Sequence, residues 1–553
     1  MMDKQLIRNL ALQNALKFNG KANPGAVIGH IIANDPEAKD NIKDIAKNVN
    51  LIVKEVNKLD LEKQKQELEN NAPELLKEEK HEKKKELLEL KNTKKVVMRF
   101  EPSPSGPLHI GHAYVLGLNS EYCRKYKGKL ILRIGDTNPE NIYEPAYKLI
   151  PKDADWITIN NIGKVIIQSD RLEIYYHYFE RLLDLGKAYI CTCDPEKYKE
   201  LINKSEACPC RNLSIEEQKQ RWKYMFEKYE QGEAVARIKT DINHKNPAMR
   251  DWPAFRINTT KHPKQNTRYR VWPLMNMAVV SDDIELGITH VIRAKEHVDN
   301  AKRQEYVYNY LNKPIPQALF VGRINFEGMP VSCSKTRPLI EKGKYTGWDD
   351  IRLPFLMALK RRGYNPKAFI KYAIDVGISL TDKTVSKEDF FKIINAFNRE
   401  IIDKEANRYF FIQNPKKIKI KNALEKDVKI ELHPDFKGRG TRILKTNDEF
   451  YIEDKIEKNK AYRFMHLFNF KNNEFLSEEL DESLKAKLIH WLPVNDDLIK
   501  VEILMDDGSI KKGLGEPDLR NVKVNDIIQF ERFAFCKLDK IENNKYHFWF
   551  THK

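Results

Sequence analysis

At 553 residues the chain exceeds what one hydrophobic core organises, and at roughly 100–200 residues per domain it should divide into three or four units. Apolar residues at 41% and charged residues at 32% supply core material for a globular protein, and no run nears the roughly 18 apolar residues of a spanning helix, which excludes a membrane-spanning class. The formal charge of +17 would attract a polyanion, although a lysine-rich composition alone gives the same figure. Polar residues break every apolar run of MMDKQLIRNLALQNALKFNG, so it lacks the apolar block of a secretory signal and a cytoplasmic location is expected.

In chain order, residues 1–92 hold no Trp and one Phe, Phe18, and place Ile42, Ile45, Ala46, Val49, Ile52, Val53 and Val56 at helical spacing. A helical N-terminal extension is expected there. Its Lys- and Glu-rich second half, Lys58 to Lys95, reads as a long solvated helix or a linker. From Lys94 the character changes. KKVVMRF reads as a strand, EPSPSGP as a proline-stiffened loop, LHIGHAYVLGLNSEYCRKYKG as an amphipathic helix ending at Gly128, and KLILRI as a second strand. That order makes half of a nucleotide-binding α/β sheet, with the ligand beyond the strand ends. The expected divisions are a Rossmann-like domain over 93–345 with an insertion near 186–260, a helical connector over 346–404, and an all-β region of barrels over 405–553. In the last, KKIKIKN, DVKIELH, EFYIED, LIKVEIL, DIIQFERFAFCKL and KYHFWFTH alternate as short strands.

The string from Arg99 to His112, RFEPSPSGPLHIGH, carries the strongest chemical signal. Gly106 and the prolines shape a rigid turn, and His109 and His112, three apart, fall on one face of the first helical turn, where free backbone N–H groups already favour an anion such as a phosphate. Cys191, Cys193, Cys208 and Cys210 form two close thiol pairs, the pattern of a closed tetrahedral zinc site rather than of a secreted disulfide framework.

The first string resembles the opening signature of class I aminoacyl-tRNA synthetases in the glutamyl and glutaminyl branch. The resemblance implies an adenylate-forming enzyme that uses ATP with Mg2+. It makes Pro104, Gly106, His109, Gly111 and His112 ATP-binding residues, and Arg99 and Ser103 contacts of the amino acid. Downstream, Ser332-Cys333-Ser334-Lys335-Thr336 resembles the family's flexible lysine loop, with Ser334 and Lys335 matching its Ser-Lys core and Ser332 replacing its first lysine. Lys335 would then stabilise the charge built at the α-phosphate. The segment VWPLMNMAVVSDDIELGITHVIRAKEH resembles the one that closes the amino-acid pocket and makes Arg293 a carboxylate ligand. By the same likeness His109, His112 and Lys335 are the expected catalytic residues.

Two positions depart from the pattern: Met275 stands where the family commonly has tyrosine, and Gly135 where an acidic residue holds the substrate ammonium, with the neighbouring Asp136 a candidate replacement. The cysteine cluster resembles the zinc module of the acceptor-arm insertion, and the β-rich tail resembles the anticodon-reading barrels of archaeal glutamyl and of glutaminyl enzymes. Within that tail Phe530, Phe533 and Phe535 are expected in the barrel core. The implied partners are L-glutamate, ATP and tRNA-Glu, with tRNA-Gln a second candidate, no membrane, and a monomeric chain. Glutaminyl-tRNA synthetase and a tRNA-binding protein that has lost catalysis stand as alternatives.

Overall fold

The computed structural model describes residues 4–18, 20–34, 42–76 and 86–553, and these divide into two compact units, 1–85 and 86–553. In the first unit, α1 (Lys4–Lys17), α2 (Pro24–Asn34), α3 (Ile42–Val56) and α4 (Leu61–Asn71) close around Ile7, Ala11, Val49, Val53 and Leu68. Of the helically spaced residues, Ile45, Val49, Ile52, Val53 and Val56 become the buried face of α3, while Ile42 at its start is exposed. The long helix expected over 58–95 does not form. Here α4 ends at Asn71 ahead of Pro73, which cannot continue the i→i−4 ladder, and a 3-10 turn, Pro73–Leu76, follows. Residues 77–85 lie outside the described set, and 86–95 are neither helical nor a free linker: Leu90 is buried in the second unit and its N–H donates to the Tyr126 hydroxyl at 3.1 Å.

The second unit opens with β1 (Val97–Phe100), α5 (Ile110–Lys125), β2 (Lys129–Ile134), α6 (Ala146–Thr158) and β3 (Lys164–Ile167), followed by α7 (Leu172–Asp184). An antiparallel four-stranded insertion comes next, made of β4 (Ala188–Cys191), α8 (Pro195–Asn203), α9 (Ile215–Glu227), β5 (Val235–Ile238), β6 (Pro253–Ile257) and β7 (Val271–Pro273). The chain returns through α10 (Met275–Glu285), β8 (His290–Ala294), α11 (Val298–Tyr310) and β9 (Gln317–Val321). The parallel sheet has the order β3-β2-β1-β8-β9, so the chain builds outward on one side of β1 and then resumes on the other. A crevice between the carboxyl ends of β1 and β8 follows from that reversal. Helix α5 was expected to be amphipathic; instead Ala113, Leu116, Leu118 and Tyr122 are buried around it, because α6 and the connector cover the face that would otherwise meet water.

Past β9 come β10 (Ile324–Glu327), α12 (Cys333–Glu341), α13 (Leu356–Arg362), α14 (Pro366–Val376), β11 (Lys383–Ser386) and α15 (Lys387–Ile402). Five of the six strands read from the tail sequence are present as single strands, but DIIQFERFAFCKL is a hairpin of two, Ile527–Phe530 and Ala534–Glu542, broken by a turn at 531–533. A seven-stranded sheet joins Asn407–Tyr409 and Phe411–Gln413 to strands from Ile499 onward, and its middle strand is Lys545–His552. Between them, residues 416–493 form smaller sheets around a second core of Phe450, Phe464, Phe470 and Trp491. Phe530 and Phe535 are fully buried, in separate clusters, but Phe533 sits in the turn between their strands and is only half-buried against Phe411. Period-two spacing fails at Phe533 because the hairpin reverses there.

Candidate active site

A cleft of about 710 Å³ opens at the β1/β8 reversal, lined among others by Arg99, Glu101, His109, Gly111, His112, Met275, Arg293, His297 and Ser332. His109 is not in the first turn of α5 but caps it: its backbone is extended, and its Nδ1 accepts from Gly111 N–H at 3.1 Å. His112 Nδ1 accepts from His109 N–H at 3.3 Å, and the two rings lie against each other tilted by 31°, their centroids 3.8 Å apart. With both Nδ1 atoms accepting, the neutral rings carry their protons on Nε2 and present two donors. Burial lowers both pKa values, His112 to about 4 and His109 well below its usual range with His112 adding to the effect, so neutral imidazoles are the resting form.

The floor is an ion network. Arg99 donates to Asp283 at 3.1 Å, Arg133 to Asp283 at 2.8 Å and to Glu101 at 2.5 Å, and Arg171 to Asp282 at 2.6 Å. Burial alone would raise the Asp283 carboxyl, but Arg99 and Arg133 hold it below the usual range. Arg293 differs from the other three. It is 7% exposed and donates to an amide, Gln304 Oε1, at 2.9 Å, while Gln304 is held in turn by Asn276. Burial, reinforced by Arg99, pushes its pKa down to about 10. Four guanidiniums thus face three carboxylates, and the unmatched cation is Arg293 on the cleft wall. A ligand carboxylate would complete it.

Gly106 binds the two signatures together, since a Cβ there would lie 2.7 Å from Cys333 Sγ. Ser334 and Lys335 are exposed in the first turn of α12, so the expected loop is a helix, and Val331 and Ser332 reach the cleft while Lys335 stands outside its lining. Pro104 is buried with its carbonyl accepting from Tyr143 N–H, and Ser103 is exposed. Met275 opens α10 at the cleft mouth, 39% exposed. Asp136 is no replacement at Gly135: it is 1% exposed and its carboxylate accepts from the Tyr147 and Ser169 hydroxyls and from Ser169 N–H at 2.6–2.7 Å. Sequence reasoning missed Glu101, Arg133, Asp283 and Gln304. Glu101 could have been noticed, because a carboxylate just past a buried strand, two residues after an arginine, needs a partner.

The four cysteines meet where β4 ends and a 3-10 turn, Pro209–Asn212, begins. Their sulfurs lie within 4.8 Å of one another, with Cys191–Cys208 at 3.8 Å and Cys193–Cys210 at 3.7 Å. Zinc–sulfur bonds of about 2.3 Å give a tetrahedron with edges of about 3.8 Å, so the thiols fit that ion.

The family model for the catalytic domain of class I tRNA synthetases (E and Q) matches residues 95–404, and two anticodon-binding domain models of that group match 406–489 and 488–539. The glutamate–tRNA ligase of Methanocaldococcus jannaschii is 43% identical over the whole of both chains. That of Methanobrevibacter smithii is 42% identical over all of this chain and 99% of its own. A solved glutamate tRNA ligase from Elizabethkingia meningosepticum aligns at 18% identity and a TM-score of 0.40, covering 56% of this chain and 70% of that one, a likeness too slight to carry an argument. No helix among the described residues is long and apolar enough to cross a membrane. The chain belongs to the class I tRNA synthetases of the glutamyl and glutaminyl branch and groups there with the archaeal glutamate–tRNA ligases.

Proposed function

We propose that the chain charges tRNA-Glu with L-glutamate in two steps. A glutamate α-carboxylate oxygen attacks the α-phosphorus of Mg-ATP and pyrophosphate leaves. The 2′-oxygen of the terminal ribose then attacks the activated acyl carbon and AMP leaves. The observation that carries the reading is the buried, carboxylate-free guanidinium of Arg293 beside Arg99, because glutamate alone of the branch's two amino acids brings a second carboxylate. Arg99 and Arg293 would hold it, with Ser103 at the loop. Neutral His109 and His112 would donate through Nε2 to ATP, against the loop of Pro104, Gly106 and Gly111. Lys335 and Ser334 sit at a helix N-terminus whose dipole already favours anions, and would meet the phosphates there. Positioning and fixed charge supply the rate, with no covalent enzyme intermediate.

The four thiolates of Cys191, Cys193, Cys208 and Cys210 would hold one structural zinc, which fastens the insertion used to dock the acceptor arm. The β-rich modules would read the anticodon, in a monomer working in the cytoplasm. The test is aminoacylation of purified tRNA-Glu and tRNA-Gln with labelled glutamate and with glutamine, comparing wild type with Lys335→Ala. Glutamate transfer that collapses in the variant is expected, and charging of both tRNAs would add tRNA-Gln to the substrates. Transfer of glutamine alone would move the chain to the glutaminyl reading, and tRNA binding without any transfer would refute catalysis.

A further inference from the structure

We infer that Glu101 holds the ammonium group of the amino-acid substrate, doing from the β1 loop what a side chain at position 135 cannot. This rests on the glutamate reading. An amino acid is a zwitterion, and a cleft lined by Arg99 and Arg293, with Arg133 buried behind Glu101, needs an anion where the ammonium comes to rest. The carboxylates lining the cleft are Glu101, Glu296 and Glu327, of which the last two are exposed to solvent. Glu101 has a side chain 14% exposed and is fixed by two buried arginines, with Arg133 at 2.5 Å and Arg99 at 3.6 Å. Both address Oε2. Oε1 turns the other way, toward Gly135, and stands 3.6 Å from where a Cβ on that residue would be.

Gly135 follows the last residue of β2, at the carboxyl end of the sheet where the crevice lies, and its N–H donates to Pro102 O at 3.0 Å, drawing the two loops together. Its φ is not in the left-handed region, and a Cβ would meet Gln168 and Glu101 only at ordinary contact distances. The backbone therefore does not demand glycine there. Absence of a side chain at 135 leaves room for the carboxylate of 101, and Asp136, spent on Tyr147 and Ser169, supplies none.

The experiment compares wild type with Glu101→Gln, which keeps an acceptor for Arg133 and removes the charge. It measures the KM for glutamate in tRNA-dependent ATP–pyrophosphate exchange and the Ki of glutarate, which is glutamate without its ammonium. Loss of one hydrogen bond to a charged group should raise the glutamate KM about 10- to 100-fold and leave the glutarate Ki within about twofold. A Glu101→Ala, Gly135→Asp double variant, which places the acid on the other loop, should bind glutamate more tightly than Glu101→Ala alone. An unchanged glutamate KM overturns the assignment. Equal weakening of both ligands would reduce Glu101 to a support for Arg133, and a double variant no tighter than Glu101→Ala counts against it as well. Failure of the glutamate reading itself shows separately, as wild-type protein that transfers no glutamate to tRNA.

Discussion

Replacing Arg293 with Met should separate ligand binding from folding. The guanidinium is held near 10 instead of 12.5, and at about 1.36 kcal/mol per unit its charged form costs the fold about 3 kcal/mol. That cost is present at all pH values below about 10, where the group is protonated in both folded and unfolded chains. Against its removal stands Gln304 Oε1, left without its donor at about 1–3 kcal/mol. The two nearly cancel, so Arg293→Met should be as stable as wild type or more so by up to about 2 kcal/mol. The substrate carboxylate, in contrast, loses a buried ionic partner worth about 2–5 kcal/mol, which raises the KM for glutamate by roughly 30- to 5,000-fold. Thermal denaturation and tRNA-dependent ATP–pyrophosphate exchange at varied glutamate measure the two quantities on one preparation. A variant that loses more than about 3 kcal/mol of stability while its glutamate KM stays within threefold would make Arg293 a structural residue and sink the argument.

Cys208→Ser should reduce bound zinc from one ion per chain to none by elemental analysis and raise the KM for tRNA, while pyrophosphate exchange at saturating tRNA changes little; full zinc content in the variant would refute the four-thiolate site. Gly106→Ala drives a Cβ to 2.7 Å from Cys333 Sγ, an overpacking of about 1–3 kcal/mol that should shift the start of α12 and lower kcat, and Cys333→Ala in the same chain should recover part of it. Because His109 and His112 refuse protons that the unfolded chain accepts, stability should fall as pH drops from 6.5 toward 4, by about 3 kcal/mol for His112 at the lower end. The KM for ATP should meanwhile be flat from pH 6.5 to 8.5. An ATP KM that improves on acidification through 6.5 would make imidazolium the binding form.

What could be read in advance was short-range. The strand, loop, helix and strand around His109 follow from periodicity and breakers within about forty residues, and so do five of the six tail strands. The cysteine cluster is equally local in pattern, and the structure brings its four sulfurs together as the spacing implied. Other features depend on partners far along the chain. Arg99 and Arg133 meet Asp283 across some 150 or more residues, and nothing near either arginine in sequence announces that carboxylate. The same limit hid Glu101, whose meaning depends on Gly135 across the sheet. His109 was misplaced by one position because a histidine can cap a helix as an acceptor, and Ser334 and Lys335 were read as a loop although Cys333 begins a helix. Phe533 shows how a hairpin turn resets strand alternation.

The order of strands in the seven-stranded sheet has a consequence for how the chain comes to be folded. Its middle strand, Lys545–His552, is the last of the seven to be synthesised, while two of its outer strands, Asn407–Tyr409 and Phe411–Gln413, are the first. During translation those early strands must wait, unpaired, for more than a hundred residues, and a nascent chain stalled before residue 545 would lack the strand that joins the halves. The last strand also reaches back to the connector, where Arg362 donates to Thr551 O at 3.0 Å and Asn398 pairs with His552 at 3.0 Å. Synthesis of this strand is then the event that completes this module and clasps it to the helices behind the catalytic sheet.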